Sequence, residues 1–598
     1  MKDRKMTRAG AWVVLFTFVL FVSSGLCERT RATLFKITSD NVNYVGPTLV
    51  IANSASGSWF FMQSVFGCDY YAKLAFLSPA RSAGSDYLLE KNQQNVVKHE
   101  QDIASETIAV DPVSNNLSSF SSINSPSWSN GIGTWSVSYA NVWHVARTDN
   151  CIWFTSNEGE VTGSSVVRFN PMENSFYGWQ CNANWQVAGI AASNDEAWVA
   201  VNASTGKLLR FEGENTEVIA WELPDSSRLL GVALSSDGQV WVSDPNSHLL
   251  YLVDPQLTSS SDVEKFTMPF DDGPSYLLSD GKGGVWMSGL DNGDGVPALG
   301  HLSPEGHLEW WPLPGFVSPS MLKMDPFGRV WVIDSRGNRV GFLDVSKSQL
   351  VWWDLPDAAQ DSYGLDIDLE GNVWFSNTGG YYVGFLDHAA HYTLYLPHFD
   401  NTVGWWTGVA LNNIADTEAT VILEAYGNDG SLLGRYELPE PIPPYGKWAC
   451  VVSEIFPDSD TGWIKVISDQ PIKGFVLFGR ETVLAGVPAC ELPKQVLVFP
   501  HFDQSALWWT GVAFVNTSEM SAGVSIGARN DDGNSLSSVS RQLAEKEKVV
   551  GTVEELFEIV ESTGSIKAQF DYWGAGCGFV LFGTKDGQTL AGVPAGGS

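Results

Sequence analysis

Residues 236–255 read SDGQVWVSDPNSHLLYLVDP. A tight-turn signal, Ser236-Asp237-Gly238, precedes the apolar burst Val240-Trp241-Val242, and a second apolar run ends at Val253-Asp254-Pro255. The unit recurs. Tryptophans return every 43 to 45 residues at Trp153, Trp198, Trp241, Trp286, Trp331 and Trp374, in bursts such as Val285-Trp286-Met287, Val330-Trp331-Val332 and Val373-Trp374-Phe375. Glycine turns come before several of them, at Gly283-Gly284, Phe327-Gly328 and Glu370-Gly371. Several units close on a Leu-Pro, as in Trp311-Pro312-Leu313-Pro314 and Trp353-Asp354-Leu355-Pro356. Four short β-runs per period of this length mark a β-propeller blade, which places its chemistry in loops around a central channel.

A further unit begins near Val45 with the burst Ser58-Trp59-Phe60. From Trp59 to Trp153 is 94 residues, about two periods. Either one blade carries a long insertion or an eighth, degenerate blade lies near residues 105–140. That stretch is rich in Ser and Asn and lacks the tryptophan burst, so the reading is seven blades with an insertion in the first. An N-terminal strand within Thr33–Val50 is expected to pair with the last blade, because an open ring would leave sheet edges exposed.

Beyond residue 397 the period becomes about 103. Pro397-His398-Phe399-Asp400 recurs as Pro500-His501-Phe502-Asp503, and Trp405-Trp406-Thr407-Gly408-Val409-Ala410 as Trp508-Trp509-Thr510-Gly511-Val512-Ala513. Residues 474–479 recur as 578–583. Alternating strand patterns such as Ala419–Tyr426 before Asn428-Asp429-Gly430 predict two copies of one β-sandwich. The expected fold is therefore all-β. Residues 1–27 form a signal peptide, 28–396 a seven-bladed propeller, 397–493 and 494–598 the two sandwiches.

The signal reading rests on basic Lys2, Arg4, Lys5 and Arg8 before an apolar run, Ala11 to Val22, that is too short to span a bilayer. No other segment reads as transmembrane, so an exported protein is expected: extracellular, cell-surface or periplasmic. Lipidation at Cys27 is a second reading, against which Leu26 is large for the position before it. The net charge of −33 argues against nucleic acid and anionic membranes as partners and is compatible with cation binding. Six cysteines follow residue 27, and Cys151 with Cys181 and Cys450 with Cys490 are the expected disulfides, each within one domain. No Cys/His cluster has zinc spacing.

Several constellations have a structural and a functional reading. Asp291-Asn292-Gly293-Asp294-Gly295 and Asp366-x-Asp368-x-Glu370-Gly371 resemble cation loops, but both lack the later bidentate glutamate, and the turn reading is favoured. The Trp pairs at 310–311, 352–353, 405–406 and 508–509 could stack on sugars or peptides, yet on a strand one of each pair faces a core.

The blade pattern resembles the virginiamycin B lyase (streptogramin lyase) family of seven-bladed propellers over roughly residues 45–397. The C-terminal repeats resemble accessory β-sandwich domains of secreted bacterial proteins. The lyase resemblance implies ring opening of a cyclic depsipeptide by elimination, with a bound Mg²⁺ and a histidine general base. Two repeat slots carry the family's active-site residues, a histidine before the tryptophan strand and a glutamate after it. In this chain the first slot holds Leu230, Ser275, Ser320 and Tyr363, and only His144 offers an imidazole. The second slot holds Ser156, Val201, Asp244, Gly289, Asp334 and Asn377. Asp244 and Asp334 are thus the candidate ligands for Mg or Ca, His144 the candidate base, and Ser156, Asn377 and Tyr363 the ligand-facing candidates. With the His/Glu cluster not assembled, the expectation is a secreted ligand-binding or scaffold protein. Its ligand would be an extracellular carbohydrate, peptide or protein. The alternative is a metal-dependent carbon–oxygen lyase or a lactonase-like hydrolase.

Overall fold

The computed structural model describes residues 29–597 except 37–43, 55–56, 67–68, 78–84, 111–112, 124–126, 130–131, 138–141, 149–150, 159–162, 171–172, 174, 183, 194, 256–260, 292–294, 357–361, 370, 378–381, 387–389, 481–482, 519–520 and 572–573. It gives side chains mainly from residue 144 onward. Residues 1–28, Cys68 and His388 lie outside the described residues, as do the side chains of Trp59 and Asn377. The described chain is almost wholly β, and none of its helices is long and apolar enough to cross a membrane.

The unit around Trp241 shows why the sequence folds this way. Strands Val232–Leu234, Val240–Asp244, Leu249–Val253 and Ser261–Thr267 pair antiparallel in that order. Gly238 takes the left-handed conformation at φ 88°, which lets the first hairpin turn tightly. Register places Trp241 opposite Ala233 and Leu252. The indole is fully buried and donates from Nε1 to the Gly283 carbonyl at 3.0 Å, reaching into the next unit. A second tryptophan from the closing strand often joins the first: Trp153 with Trp179 at 5.5 Å, and Trp331 with Trp353 at 5.7 Å and 2° between planes. Trp311 and Trp353 are the core-facing members of their pairs, and Trp310 stacks on His99 instead.

Seven such units follow one another. The first is built from Tyr44–Ser54, Gly57–Phe66, Asp69–Leu77 and Ile132–Val137. The last has Ser362–Ile367, Val373–Asn377 and Tyr382–Leu386, and takes its outer strand from the N-terminal Arg29–Lys36. The leading strand of each unit lies beside that of the next, and Ser362–Ile367 lies beside Tyr44–Ser54, so the ring closes. Strand Tyr392–Asp400 does not complete the last unit. It pairs with Thr461–Ser468, so the boundary read at 396/397 falls inside a strand of the first C-terminal domain.

The long insertion is a belt. Strands Ser85–Asn95, His99–Asp102, Ser105–Val110, Val113–Asn116 and Ser118–Ile123 run back around the ring. Each adds a fifth strand to one unit, those of Trp331, Trp286, Trp241, Trp198 and Trp153 in turn. Ser85–Asn95 also pairs with Arg29–Lys36 and so joins two units into one sheet. Residues 105–140 thus supply belt strands and the outer part of the first unit, and build no unit of their own among the described residues.

A hydroxyl two residues after the tryptophan ties neighbouring units together. Ser243 Oγ donates to Ser275 O at 2.8 Å, Ser288 Oγ to Ser320 O at 2.7 Å, and Thr155 Oγ1 to Ala188 O at 3.3 Å. These side chains are fully buried, and each bond satisfies a carbonyl in or just before the next leading strand.

The C-terminal repeats each form two sheets with matching strand registers. Trp406 lies opposite Gly479 and Trp509 opposite Gly583. Each indole covers its glycine closely enough that a Cβ there would sit 2.0 and 2.2 Å from the ring. Both expected disulfides are corrected. Cys490 bonds Cys577 and links the two domains, while Cys151, Cys181 and Cys450 are free. Cys151 precedes one strand and Cys181 ends a parallel one two strands away, which puts them at opposite ends of the unit, about 20 Å apart at ~3.3 Å per residue. Cys450 lies on the edge strand opposite the one that leads into Cys490.

Candidate functional site

The leading strands of the seven units all run the same way, so the channel has a start end and a finish end. At the start end, Arg228 comes from the loop before one leading strand, Tyr276 directly precedes another, and Tyr363 lies in a third. Tyr363 is 39 % exposed, and Arg228 is exposed. Burial pushes the Tyr276 phenol up, with Tyr363 adding to the shift and the Arg228 guanidinium opposing it. The three groups are therefore electrostatic neighbours although they come from units that are not all adjacent. Of them the sequence pattern singled out only Tyr363. Tyr276 stands one residue past slot residue Ser275, and Arg228 two residues before Leu230, so scanning the neighbours of each slot was the available signal.

Nearer the finish end lies a cavity of about 220 Å³, lined by Val145, Arg147, Met321, Lys323, Leu365 and Asp366. Lys323 and Asp366, on neighbouring units, form an ion pair at 2.9 Å. This accounts for Asp366 of the segment that resembles a cation loop. Its companion Asp368 is buried and accepts from Asn372 N, Asn372 Nδ2 and Trp374 Nε1, all at 2.8 Å. The loop is a turn that also anchors a tryptophan. Asp291 likewise accepts from Gly295 N at 3.2 Å, and residues 292–294 lie outside the description.

The slot carboxylates are engaged in a similar way. Asp244 is fully buried and accepts from Ser227 N at 2.5 Å, Arg228 N at 3.1 Å and Ser247 N at 3.0 Å, with the Ser227 hydroxyl at 3.3 Å. Asp334, equally buried, accepts from Val317 N and Ser318 N at 2.8 Å each and Gly337 N at 2.9 Å. Each carboxylate fastens its own loops, and its lone pairs point at backbone donors. A metal ion would have to displace those donors, so these residues do not fit Mg or Ca. Asp244 does contribute indirectly, because it holds the loop that carries Arg228.

His144 sits on the leading strand Val142–Arg147, opposite Thr155, after a register shift at Val142. Burial pushes its imidazole down to about 4, which keeps it neutral at physiological pH and makes it a weak base. Ser156 is fully buried at the far end of that hairpin, opposite Val142. Asn377 lies opposite Ser362, next to Tyr363 in the chain.

One further group of ligand-type side chains occurs among the described residues, away from the channel. Glu100, His307 and Glu309 lie on the outer edge, where a belt strand pairs with a blade. The Lys98 ammonium ion-pairs with both glutamates, and Asp102 holds His307 Nδ1 at 2.9 Å. The cluster thus already holds a cationic partner of its own in Lys98.

Residues 140–402 match the model of the virginiamycin B lyase family. No curated protein matches the chain. Among solved structures, a streptogramin B lyase is 14 % identical, covering 61 % of this chain and 99 % of that one at a TM-score of 0.40. A catalytically inactive virginiamycin B lyase from Staphylococcus aureus with quinupristin is 14 % identical, covering 60 % and 99 % at 0.40. The β-propeller domain of Cps50 (Swd1) from Myceliophteria thermophila is 8 % identical, covering 59 % and 99 % at 0.37. The repeat pattern, the blade topology and the family match together identify residues 140–402 as part of a virginiamycin B lyase-like β-propeller.

Proposed function

We propose that this chain is an exported ligand-binding protein whose propeller takes a small anionic ligand at the start end of its channel. The observation that carries the reading is that Arg228 and Tyr363 both act electrostatically on the Tyr276 phenol at the start end, while Asp244 and Asp334 accept hydrogen bonds from backbone donors. A guanidinium can hold a carboxylate or phosphate through paired hydrogen bonds, and two phenols add donors and ring faces for an apolar or sugar moiety. The net charge of −33 disfavours polyanions, so a peptide or acidic sugar with one anionic group suits the site best. In this reading the two C-terminal domains are spacers or surface-adhesion modules, and the basic-then-apolar N-terminus directs export. Titration of the full chain with carboxylate-bearing peptides and acidic sugars, read by aromatic fluorescence, tests it. Arg228→Ala should weaken binding by roughly 1.5–3 kcal/mol, the range for a hydrogen bond to a charged group. Affinity unchanged in both Arg228→Ala and Tyr276→Phe would sink the reading.

The family match favours one alternative, a carbon–oxygen lyase of the streptogramin type. It requires His144 as base, so ring opening of a streptogramin B substrate by the wild type, lost in His144→Ala, would establish it. Carboxylates that each accept three backbone N–H groups and an imidazole whose burial pushes it down to about 4 argue against that outcome.

A further inference from the structure

The two sandwiches meet through unlike surfaces. The second presents the outer face of one sheet, where Ala513, Val515, Cys577 and Phe579 are at most 3 % exposed because the first sandwich covers them. The first presents its open flank, where edge strands Tyr392–Asp400 and Val483–Pro488 border the gap between its sheets. Across this junction Phe478 stacks on Phe579 with ring centroids 5.4 Å apart. Lys548 Nζ lies 2.6 Å from Gly462 O and 3.0 Å from His398 Nδ1. Trp463 Nε1 donates to Lys546 O at 2.9 Å, and the Lys546 ammonium lies 5.6 Å from the Tyr426 ring centre.

Because the domains are copies, each has both surfaces, and one of each remains free. Ala410 lies opposite Phe475 in the first domain as Ala513 lies opposite Phe579 in the second. Phe579 is 2 % exposed, but Phe475 is 42 % exposed, with Leu484 and Tyr445 also open on that domain. On the flanks, Tyr395 and Val487 of the first domain are buried, while their counterparts Val498 and Val593 are exposed. The free flank is already shaped like the occupied one, since His501 rests against Phe582 at 5.4 Å as His398 rests against Phe478 at 5.6 Å.

We propose that the free face of the first sandwich is covered by the free flank of the second sandwich of another copy of this chain, repeating the intrachain junction head to tail. The chemistry survives the exchange. Tyr445 stands where the second domain has Lys546, and Arg529 stands where the first has Tyr426. The cation–ring pair is kept with its partners swapped, Arg529 of one copy meeting Tyr445 of the next. Lys447 matches Lys548 and is placed to reach the carbonyl of Gly564, the counterpart of Gly462, beside His501. Lys473 and Gly596 replace the bonded cysteines, so the contact between copies is non-covalent and reversible. Two of the propeller's hydrogen bonds to the first sandwich, from Arg435 Nη2 to Pro326 O at 3.3 Å and from Thr393 Oγ1 to Leu369 O at 2.8 Å, involve the other sheet and leave the free face open. An unlike-surface contact of this kind leaves each growing assembly with one free face and one free flank, so it extends with concentration.

Sedimentation velocity of the full chain over about two decades of concentration tests this. The wild type should grow in mass as concentration rises. Phe475→Asp, which spoils the face, and Val593→Asp, which spoils the flank, should each stay monomeric alone. Their equimolar mixture should form dimers and nothing longer, because one intact face meets one intact flank. A wild type that is monomeric throughout, assembly that survives both substitutions, or a mixture that stays monomeric would overturn the proposal. Circular dichroism checks folding, and the exposed substitutions Tyr445→Ala and Arg529→Ala, which should each weaken assembly, serve if an aspartate variant does not fold.

Discussion

Replacing Asp334 by alanine separates a loop-pinning carboxylate from a metal ligand. In the native chain it is fully buried and accepts three backbone N–H groups, from Val317, Ser318 and Gly337, within 2.9 Å. The methyl group of alanine accepts none. Each buried donor left unpaired costs about 1–3 kcal/mol, and water entering the vacated space recovers part of that. The net loss should be about 3–5 kcal/mol, a large share of the stability of an ordinary domain. Asp334→Asn keeps one carbonyl oxygen and should lose roughly half as much. Urea unfolding followed by tryptophan fluorescence, in chelator and then with added Mg²⁺ or Ca²⁺, gives the answer. The loss should be present in chelator and unchanged by either cation. An alanine variant as stable as wild type in chelator, but lacking a cation-dependent gain that wild type shows, would refute the reasoning and restore Asp334 as a ligand.

Trp241→Ala should cost roughly 3–5 kcal/mol, because it empties a fully buried site and breaks the bond to Gly283 O; an unchanged melting curve would show that the burst is not an inter-unit wedge. Cys490→Ser opens a bridge spanning 87 residues and should destabilise the sandwich pair by roughly 4–5 kcal/mol on the chain-entropy model, measured by calorimetry against the same protein with reductant. Burial brings the Lys548 ammonium down to about 7, far below the ordinary 10.5. Between those values the unfolded chain binds the extra proton, so the stability of the sandwich pair should rise as pH goes from about 7 towards 10.5, and Lys548→Met should flatten that slope.

The tryptophan period, the glycine turns and the duplicated 103-residue blocks gave up the all-β class and the repeat structure because they are local signals. A Val-Trp-Val burst after Asp-Gly is a hairpin signal in itself, and the Ser or Thr two places on is equally local. The belt was not legible in this way. Its Ser- and Asn-rich strands have no strong pattern of their own, and each becomes a strand by pairing with a blade that is formed about 50 to 260 residues later in the chain. The disulfide followed the same rule, since Cys490 and Cys577 come together only when one sandwich docks on the other. Slot position alone also did not show the backbone donors around Asp244 and Asp334, because those donors come from loops that only the folded unit brings to each carboxylate. Ring closure decided the site for the same reason. Arg228, Tyr276 and Tyr363 are spread over 136 positions, and only a ring that turns successive units to face one axis brings them within electrostatic reach.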